Sequence, residues 1–265
     1  MKPSTRRSFV RSAAWSSAAL CLAPALHAEP AYPSRPITLI NPYAAGGPAD
    51  TLARGVAHQL EQRLKQPIVV DSKAGGAATI GTGFVARARP DGYTLLLGTS
   101  AGHVVTPLMQ RISYDGVADF AFIAAVANQP NVLVVHPSVG VSSLQELIAL
   151  AKKEPGKLNY ASAGTGGATH LGAESFLHRA QIRITHVPYG GAAPAVKDLL
   201  GGQVQVGMLN LAATQAFIAE GKLKALAYGG AKRSPLLPQV PTMAEAGLGG
   251  SEVSTWYTLA APKGT

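Results

Sequence analysis

Residues 37–50 read ITLINPYAAGGPAD and decide the fold of the first part of the chain. The run Ile37–Asn41 is apolar and rich in β-branched residues, which favours a strand, and the glycine pair that follows allows a tight loop. Pro48 suits the first position of a helix, and Asp50 suits its first turn. The segment therefore predicts a strand, a glycine-rich loop and a helix N-terminus, an arrangement whose main-chain N–H groups point at an anion.

Residues 158–170 read LNYASAGTGGATH and repeat this order of strand, glycine-rich loop and helix start. Two such units suggest two loops that hold one negatively charged molecule between them. The formal charge agrees with an anionic ligand. It falls from +9 to +5 without residues 1–28, because four of the 23 Lys and Arg residues and none of the 14 Asp and Glu residues lie there. Beyond residue 28 no run of Lys or Arg exceeds two residues, which argues against a nucleic-acid-binding surface.

The N-terminal segment has the features of a bacterial export signal. Basic residues that include Arg6 and Arg7 precede a short apolar stretch at 13–26, and a small residue, Ala28, marks a cleavage site. The paired arginines followed by Phe resemble the twin-arginine class, and an ordinary Sec signal is the alternative. The apolar stretch is shorter than a membrane span requires. We therefore expect cleavage after Ala28 and a periplasmic protein without cysteine, since Cys21 is removed with the signal.

The first part of the mature chain alternates strands and helices. Strands are predicted at 67–71 and 93–97 after the first one, with helices between them. The β-α-β-α-β order implies a parallel sheet with right-handed crossovers. Ligands of such sheets bind beyond the carboxyl ends of the strands, so Thr99 and Ser100 are predicted ligand donors.

The middle of the chain predicts a second lobe. Extended runs at 120–126 and 131–136 are separated by Asn-Gln-Pro, where we expect the chain to cross from the first lobe. Helices and strands follow, and an extended run at 223–228 returns the chain. The expected organisation is an export signal at 1–28, a first lobe at 29–130 that is joined by 228–265, and a second lobe at 131–227.

Patterns of catalytic and metal-binding residues are absent from the sequence. The histidines at 103, 136, 170, 178 and 186 lack metal spacings such as HxxxH or HExxH. Ser162 lacks the G-x-S-x-G pattern because Tyr160 occupies the first glycine position. The glycine loops match neither a dinucleotide nor a P-loop pattern. The sequence therefore predicts a binding protein without cofactor or metal; the alternative is an exported enzyme that uses His170 or Asp50 as a base.

Several short motifs occur in a fixed order between residue 33 and the end of the chain. They are PYxAGGxxD at 42–50, DGYTLL at 91–96, PGKLNYASxG at 155–164, HVPYxG at 186–191, LGGxV at 200–204, LPxVPTxxEAG at 237–247, and Trp256. This set resembles the Bug proteins, the periplasmic solute-binding receptors of tripartite tricarboxylate transporters. The resemblance implies an α/β, two-lobed type II periplasmic-binding-protein fold with parallel-rich sheets flanked by helices.

The resemblance also implies a function. The receptor is expected to be a monomer that captures a small organic acid, such as a di- or tricarboxylate, and delivers it to the membrane permease subunits of the transporter or to a sensor kinase. Departures from the family pattern at Gln205, Leu209 and Gln239 leave the identity of the acid open. Family members continue past the PxGT motif at 262–265, so we expect the C-terminal part of the fold to be missing.

Candidate ligand contacts lie on the loops that follow the predicted strands. Asp50 either meets a cationic or hydroxyl group of the ligand or only favours the helix N-terminus. Thr165 and His170 either contact the ligand or serve the loop, and Tyr189 either covers the ligand or packs. The complete set of candidates is Tyr43, Ala45, Gly46, Gly47, Asp50, Thr99, Ser100, Ser162, Gly164, Thr165, Gly166, His170, Tyr189, Gly190 and Asn210.

Overall fold

A mixed sheet with helices on its faces forms the framework of residues 31–265, the part of the chain that the computed structural model describes. The expected export signal at 1–28 lies outside these residues. The strands are β1 (Ile37–Asn41), β2 (Ile68–Ser72), β3 (Thr94–Thr99), β4 (Phe120–Val135), β5 (Asn159–Ser162), β6 (Thr185–Pro188), β7 (Val206–Asn210), β8 (Lys224–Tyr228) and β9 (Ser254–Pro262).

Helices connect most of these strands. The α-helices are α1 (Pro48–Leu64), α2 (Thr79–Ala86), α3 (Thr106–Met109), α4 (Leu144–Lys153), α5 (Ala168–Ala180), α6 (Ala192–Leu200) and α7 (Leu211–Ala219). A π-helical turn at Ala101–Val105 leads from β3 into α3. Among the described residues, none of the helices combines the length and the apolar composition that crossing a membrane requires.

The sheet has two halves, and each half contains three parallel strands. In the first half β2, β1 and β3 are parallel, and in the second half β6, β5 and β7 are parallel. The strands β9 and β4 add antiparallel pairs between these groups, and β8 pairs with β4. The predicted α/β class is therefore confirmed. The loops after β1, β5 and β6 all leave the carboxyl ends of parallel strands, where such sheets bind ligands.

The strand β4 is continuous over 16 residues and belongs to both halves. The prediction of two separate extended runs is wrong. Residues 120–130 pair with β9, whereas residues 131–135 lie between β7 and β8. Pro130 has no N–H to donate, and it is tolerated because it lies where the strand exchanges one partner for the next.

The hydrophobic core covers both faces of the sheet. In β1, Leu39 packs with the cluster under α1, and the next residue, Ile40, packs with Val85 of α2 and with Leu96 on the opposite face. All four side chains are fully buried. A central parallel strand that is buried on both faces carries apolar residues on both faces, which is why Leu39 and Ile40 are adjacent apolar residues.

The core predicts a difference between two Leu→Ala substitutions. Leu96 in β3 is fully buried, whereas the side chain of Leu108 in α3 is 82% exposed. Leu96→Ala leaves a cavity and should lower the free energy of unfolding by about 2–5 kcal/mol. Leu108→Ala removes atoms that water already surrounds, so it should change the free energy of unfolding by less than about 0.5 kcal/mol. Urea denaturation measures both values, and equal losses in the two variants would contradict this description of the core.

Candidate ligand-binding site

Three helix N-termini line one small cavity of about 20 Å³. They belong to α1, which begins at Pro48, to α5, which begins at Ala168, and to α6, which begins at Ala192. A glycine precedes each helix, and within residues 31–265 no side chain caps any of the three. The first N–H groups of a helix lack intrahelical partners and carry a partial positive charge. The surroundings of the cavity therefore favour a small anionic group.

A larger cavity of about 490 Å³ lies beside the small one. The two cavities share Tyr43 and Ala163 as lining residues and are therefore adjacent. The other residues that line the larger cavity are neutral: Gly75, Gly76, Ala77, Ala78, Thr106, Met109, Gln110, Gly164, Thr165, Gly166, Pro188, Tyr189 and Gly190.

Two side chains hold the first glycine loop, between β1 and α1. The buried Asn41 donates from Nδ2 to the carbonyl of Tyr43 at 3.0 Å and accepts the Tyr43 N–H at Oδ1 at 3.2 Å. Asp50 Oδ2 accepts the N–H of Gly46 at 3.0 Å. Gly46 has a φ of +81°, a conformation that glycine adopts without strain. The side chains therefore fix the path by which the chain enters α1.

Asp50 lies behind this loop and lines neither cavity. Its carboxylate also accepts a hydrogen bond from Arg54 Nε at 3.0 Å. Burial raises the pKa of Asp50, but the hydrogen bonds from Arg54 and Gly46 outweigh burial and hold the pKa below its ordinary value. The structure thus shows Asp50 as an ionised partner of the loop and of the helix start.

Three side chains hold the second glycine loop, between β5 and α5. Thr169 Oγ1 accepts the N–H of Ala163 at 2.9 Å, Ser162 Oγ accepts that of Gly164 at 3.2 Å, and His170 Nδ1 accepts that of Gly166 at 3.1 Å. The prediction that the glycine N–H groups point at a ligand is therefore wrong for Gly164 and Gly166, and likewise for Gly46. These short loops bond to nearby polar side chains, which leaves the helix N-termini as the free donors.

A third loop, which follows β6, completes the site. The N–H of Ala44 in the first loop donates to the carbonyl of Gly190 at 2.9 Å and so joins the two halves. Tyr189 lines the larger cavity, and its hydroxyl donates to Asp198 at 2.9 Å. Burial and the Asp198 carboxylate raise the pKa of Tyr189 to about 12, so this phenol stays neutral.

Asn210 lies at the bottom of the small cavity, where strands of the two halves meet. It is buried, and its Nδ2 donates to Asn131 Oδ1 and to Thr255 Oγ1, each at 3.0 Å. The three residues belong to β7, β4 and β9, so this cluster ties together the strands through which the chain passes between the halves.

Eight of the fifteen predicted residues line the two cavities: Tyr43, Gly47, Gly164, Thr165, Gly166, Tyr189, Gly190 and Asn210. Seven do not: Ala45, Gly46, Asp50, Thr99, Ser100, Ser162 and His170. Thr99 is buried, with its hydroxyl 3.4 Å from that of Tyr43, and the buried Ser100 hydroxyl has no hydrogen-bond partner among residues 31–265.

Sequence reasoning missed other lining residues. Gly75–Ala78 follow the carboxyl end of β2, where the strand-end rule expects ligands, but they are not among the fifteen candidates. Met109 and Gln110 lie well beyond the end of β3, after the π-helical turn, and no spacing pattern indicates them. Thr255 and Tyr257 come from β9, an antiparallel strand whose place in the sheet the sequence does not give.

A third cavity of about 990 Å³ lies between α1, α6 and α7 and shares Gly47 and Pro48 with the small cavity. Its lining is mainly aliphatic and aromatic, with Leu52, Leu60, Val196 and Phe217 among its residues. Within residues 31–265, His, Cys, Asp and Glu side chains form no group of three that is arranged to hold a metal ion.

Comparisons with known proteins relate the chain to periplasmic receptors. The profile of the tripartite tricarboxylate transporter family receptor, TctC, matches residues 52–265. Protein BugT of Bordetella pertussis is 41% identical over 236 residues, which are 88% of this chain and 72% of BugT. The family resemblance that the sequence motifs indicate is thereby confirmed.

Two solved structures have the same fold. The periplasmic binding protein BugD superposes with a TM-score of 0.85 and 38% identity, over 88% of this chain and 78% of BugD. The R. palustris protein Rpa4515, solved with adipate, also has a TM-score of 0.85 and 38% identity, over 88% of this chain and 79% of its own. The predicted periplasmic-binding-protein fold is therefore confirmed.

The position of Asp50 predicts how stability depends on pH. Because its pKa is lower in the folded chain than the ordinary value of about 3.9, its contribution is present above that value and is lost as the pH falls through the folded pKa. Asp50→Asn should cost about 1–2 kcal/mol at pH 7 and lose less stability than the wild type between pH 5 and pH 2. Urea denaturation at several pH values measures this.

The matched control for this prediction is Asp91→Asn. Asp91 is exposed, accepts the N–H of Tyr93 at 3.0 Å and pairs with Arg35 at 2.9 Å, and such surface pairs contribute about 0–1 kcal/mol. The control should keep the acid sensitivity of the wild type. If Asp50→Asn shows the same slope as the wild type and the control, Asp50 does not hold the loop as an ionised group.

Proposed function

Because the chain belongs to the tripartite tricarboxylate transporter receptor family, we propose that it is a periplasmic solute-binding protein that captures a small organic acid. The observation that carries this proposal is the convergence of three uncapped helix N-termini, of α1, α5 and α6, on the small cavity. A carboxylate there accepts N–H groups from all three helices and needs no cationic side chain.

The energetics of this arrangement are sufficient for a receptor. A hydrogen bond from an N–H group to a carboxylate contributes about 1.5–3 kcal/mol. Four such bonds at the upper value give about 12 kcal/mol, and after a loss of about 4 kcal/mol in translational and rotational freedom they reach the roughly 8 kcal/mol of a micromolar complex. The first residues of the helices that line the cavity, among them Ala49, Ala168 and Ala192, supply these donors.

The body of the acid lies in the larger cavity. Its neutral lining offers apolar contact through Met109 and Pro188 and hydrogen bonds through Thr106, Gln110 and Thr165. The related protein Rpa4515 was solved with adipate, and an acid of that length fits a cavity of about 490 Å³. Selectivity then depends on the shape of the acid and on neutral hydrogen bonds at its far end.

Binding proceeds by closure of two lobes, for which we propose the limits 29–130 with 228–265, and 131–227. Support comes from the exchange of partners along β4 between residues 130 and 131, and from the buried cluster of Asn131, Asn210 and Thr255. The hinge lies at this crossing, and the Ala44–Gly190 hydrogen bond joins the lobes when they are closed.

The receptor acts in the periplasm as a monomer. Its signal directs export by the twin-arginine or the Sec route and is cleaved after Ala28. It delivers the acid to the permease subunits of a tripartite transporter or to a sensor kinase. Support for this route is the family of receptors to which the chain belongs.

Calorimetry tests the proposal with adipate, malate and hexanoate, and with adipamide as the uncharged counterpart of adipate. We expect at least one of the carboxylates to bind with a Kd near the micromolar range, and adipamide to bind at least a hundredfold more weakly than adipate. The reason is that an amide lacks the charge that the helix N-termini stabilise. Binding of adipamide as strong as that of adipate, or no heat from any acid, would contradict the proposal.

A glycine substitution locates the binding. Gly166 has a φ of +78°, and a Cβ there would lie 3.3 Å from Thr106 Oγ1 and 3.4 Å from Met109 Sδ on the other side of the cleft. Gly166→Ala should therefore hinder closure and weaken carboxylate binding about tenfold or more. Gly140→Ala is the control, because its φ of +74° imposes similar backbone strain and its Cβ would meet nothing within 4 Å. Equal affinities in the two variants would place the ligand elsewhere.

A further inference from the structure

Two stacked histidines lie behind the second glycine loop. The rings of His170, on α5, and His186, on β6, have centroids 4.3 Å apart and planes inclined by 29°. His170 Nδ1 accepts the N–H of Gly166 at 3.1 Å, so this nitrogen carries no proton. The proton of the neutral ring is then on Nε2, which lies 3.9 Å from Glu174 Oε1.

The second histidine supports the loop through a serine. Ser162 Oγ accepts the N–H of Gly164 at 3.2 Å and lies 2.7 Å from His186 Nε2. A serine hydroxyl donates one hydrogen bond and accepts two, so Ser162 can accept from Gly164 and donate its proton to His186 when that nitrogen is unprotonated. The two glycine N–H groups of the loop are thus held by the histidine pair, one directly and one through Ser162.

The surroundings of the pair favour neutral rings. Burial lowers the pKa of His170, and burial together with repulsion from His170 lowers the pKa of His186 to about 4. The acidic group that faces the pair is Glu174 on α5, which opposes both shifts, and it accepts the hydroxyl of Tyr160 on β5 at 2.6 Å. The Tyr160 ring also stacks on His186, with centroids 4.7 Å apart.

We propose that His170, stacked on His186, is a positioning residue that holds the second glycine loop in its binding conformation only while its ring is neutral. A proton on His170 Nδ1 would face the N–H of Gly166, so that two donors would meet and the hydrogen bond would be lost. The loop must then move. Gly166 and the Thr106–Met109 helix lie against each other across the cleft, so movement of the loop changes the ligand cavity. Lowering the pH therefore weakens ligand binding.

The direction of the effect follows from the lowered pKa values. In a displaced loop the histidines have ordinary pKa values of about 6.5, whereas in the ordered loop the values are lower. The stabilisation of the ordered loop is therefore complete above about pH 6.5 and is lost as the pH falls below it through the lowered pKa of His170. This inference rests on the proposed function for its consequence in binding, but not for the state of the loop.

The test compares His170→Asn, His170→Phe and His178→Asn. Asparagine can accept the Gly166 N–H through Oδ1 but does not titrate, whereas phenylalanine removes the acceptor. His178 is exposed near the C-terminal end of the same helix and serves as the control for removing a histidine from α5. Adipate is the probe, and its Kd is measured by calorimetry from pH 7.5 to pH 5.0.

Between these pH values the affinity of the wild type and of His178→Asn should fall at least fivefold more than that of His170→Asn. Titration of adipate itself is common to all variants and cancels in this comparison. At pH 7.5 His170→Asn should retain most of the affinity, whereas His170→Phe should lose about tenfold. Equal pH dependence in wild type and His170→Asn would overturn the proposal.

A second measurement needs no ligand. In ¹⁵N-labelled protein the amide signals of Gly164 and Gly166 should titrate below pH 6.5 in the wild type, and the Gly166 titration should be absent in His170→Asn. If the Gly166 signal does not titrate in the wild type, the positioning role is wrong whatever the ligand. If it titrates as expected while no carboxylate binds at any pH, the positioning role of His170 is upheld and the proposed function fails instead.

Discussion

The arrangement on which the rest of the site depends is the meeting of three positive helix ends at one cavity. Each helix N-terminus carries roughly half an elementary charge, and the cavity between the ends of α1, α5 and α6 has a volume of about 20 Å³. Without an anion the partial positive charges of the three helix ends repel one another. An anion between them is attracted by all three and offsets this repulsion. In the proposed function, a carboxylate in this cavity supplies the charge that lets the two halves close on each other.

Side chains at the helix starts hold the glycine loops, and main-chain N–H groups of the helices line the small cavity. The glycine-rich sequences do not indicate this difference. Asp50, Thr169 and His170 each lie in the first turn of a helix, and each reaches back to accept an N–H group of the preceding loop. This use of the first turn fixes the loop and leaves the N–H groups of the helix itself for the ligand. It also means that a residue within the binding motif can be essential without contacting the ligand.

Sequence reasoning recovered the framework because its signals are local. The run Ile37–Asn41 and the N-terminal Pro48 each depend on neighbours within a few residues, and β1 has the limits that the sequence gives. The continuous strand β4 was missed because its two groups of partners, β9 and the pair β7 and β8, come from distant parts of the chain.

The same distinction explains the candidate site. The loops after β1, β5 and β6 were recognised from glycines and strand ends, whereas the direction of each polar group depends on side chains that pack behind the loop. Thr99 is one example, since its place at a strand end suggests a ligand donor but its hydroxyl lies under that of Tyr43. Met109 is the opposite case. It lines the larger cavity because a π-helical turn precedes its helix, and no local sequence pattern indicates this position.

The most direct test of the central claim is to map the main-chain amides that respond to a carboxylate. In ¹⁵N-labelled protein titrated with adipate, the largest amide shifts should occur at Ala49, Ala168, Thr169 and Ala192, the first residues of the three helices that line the small cavity. Saturation of these shifts should follow one Kd. Shifts that are largest around Leu52, Leu60 and Phe217, in the cavity between α1, α6 and α7, would contradict the account.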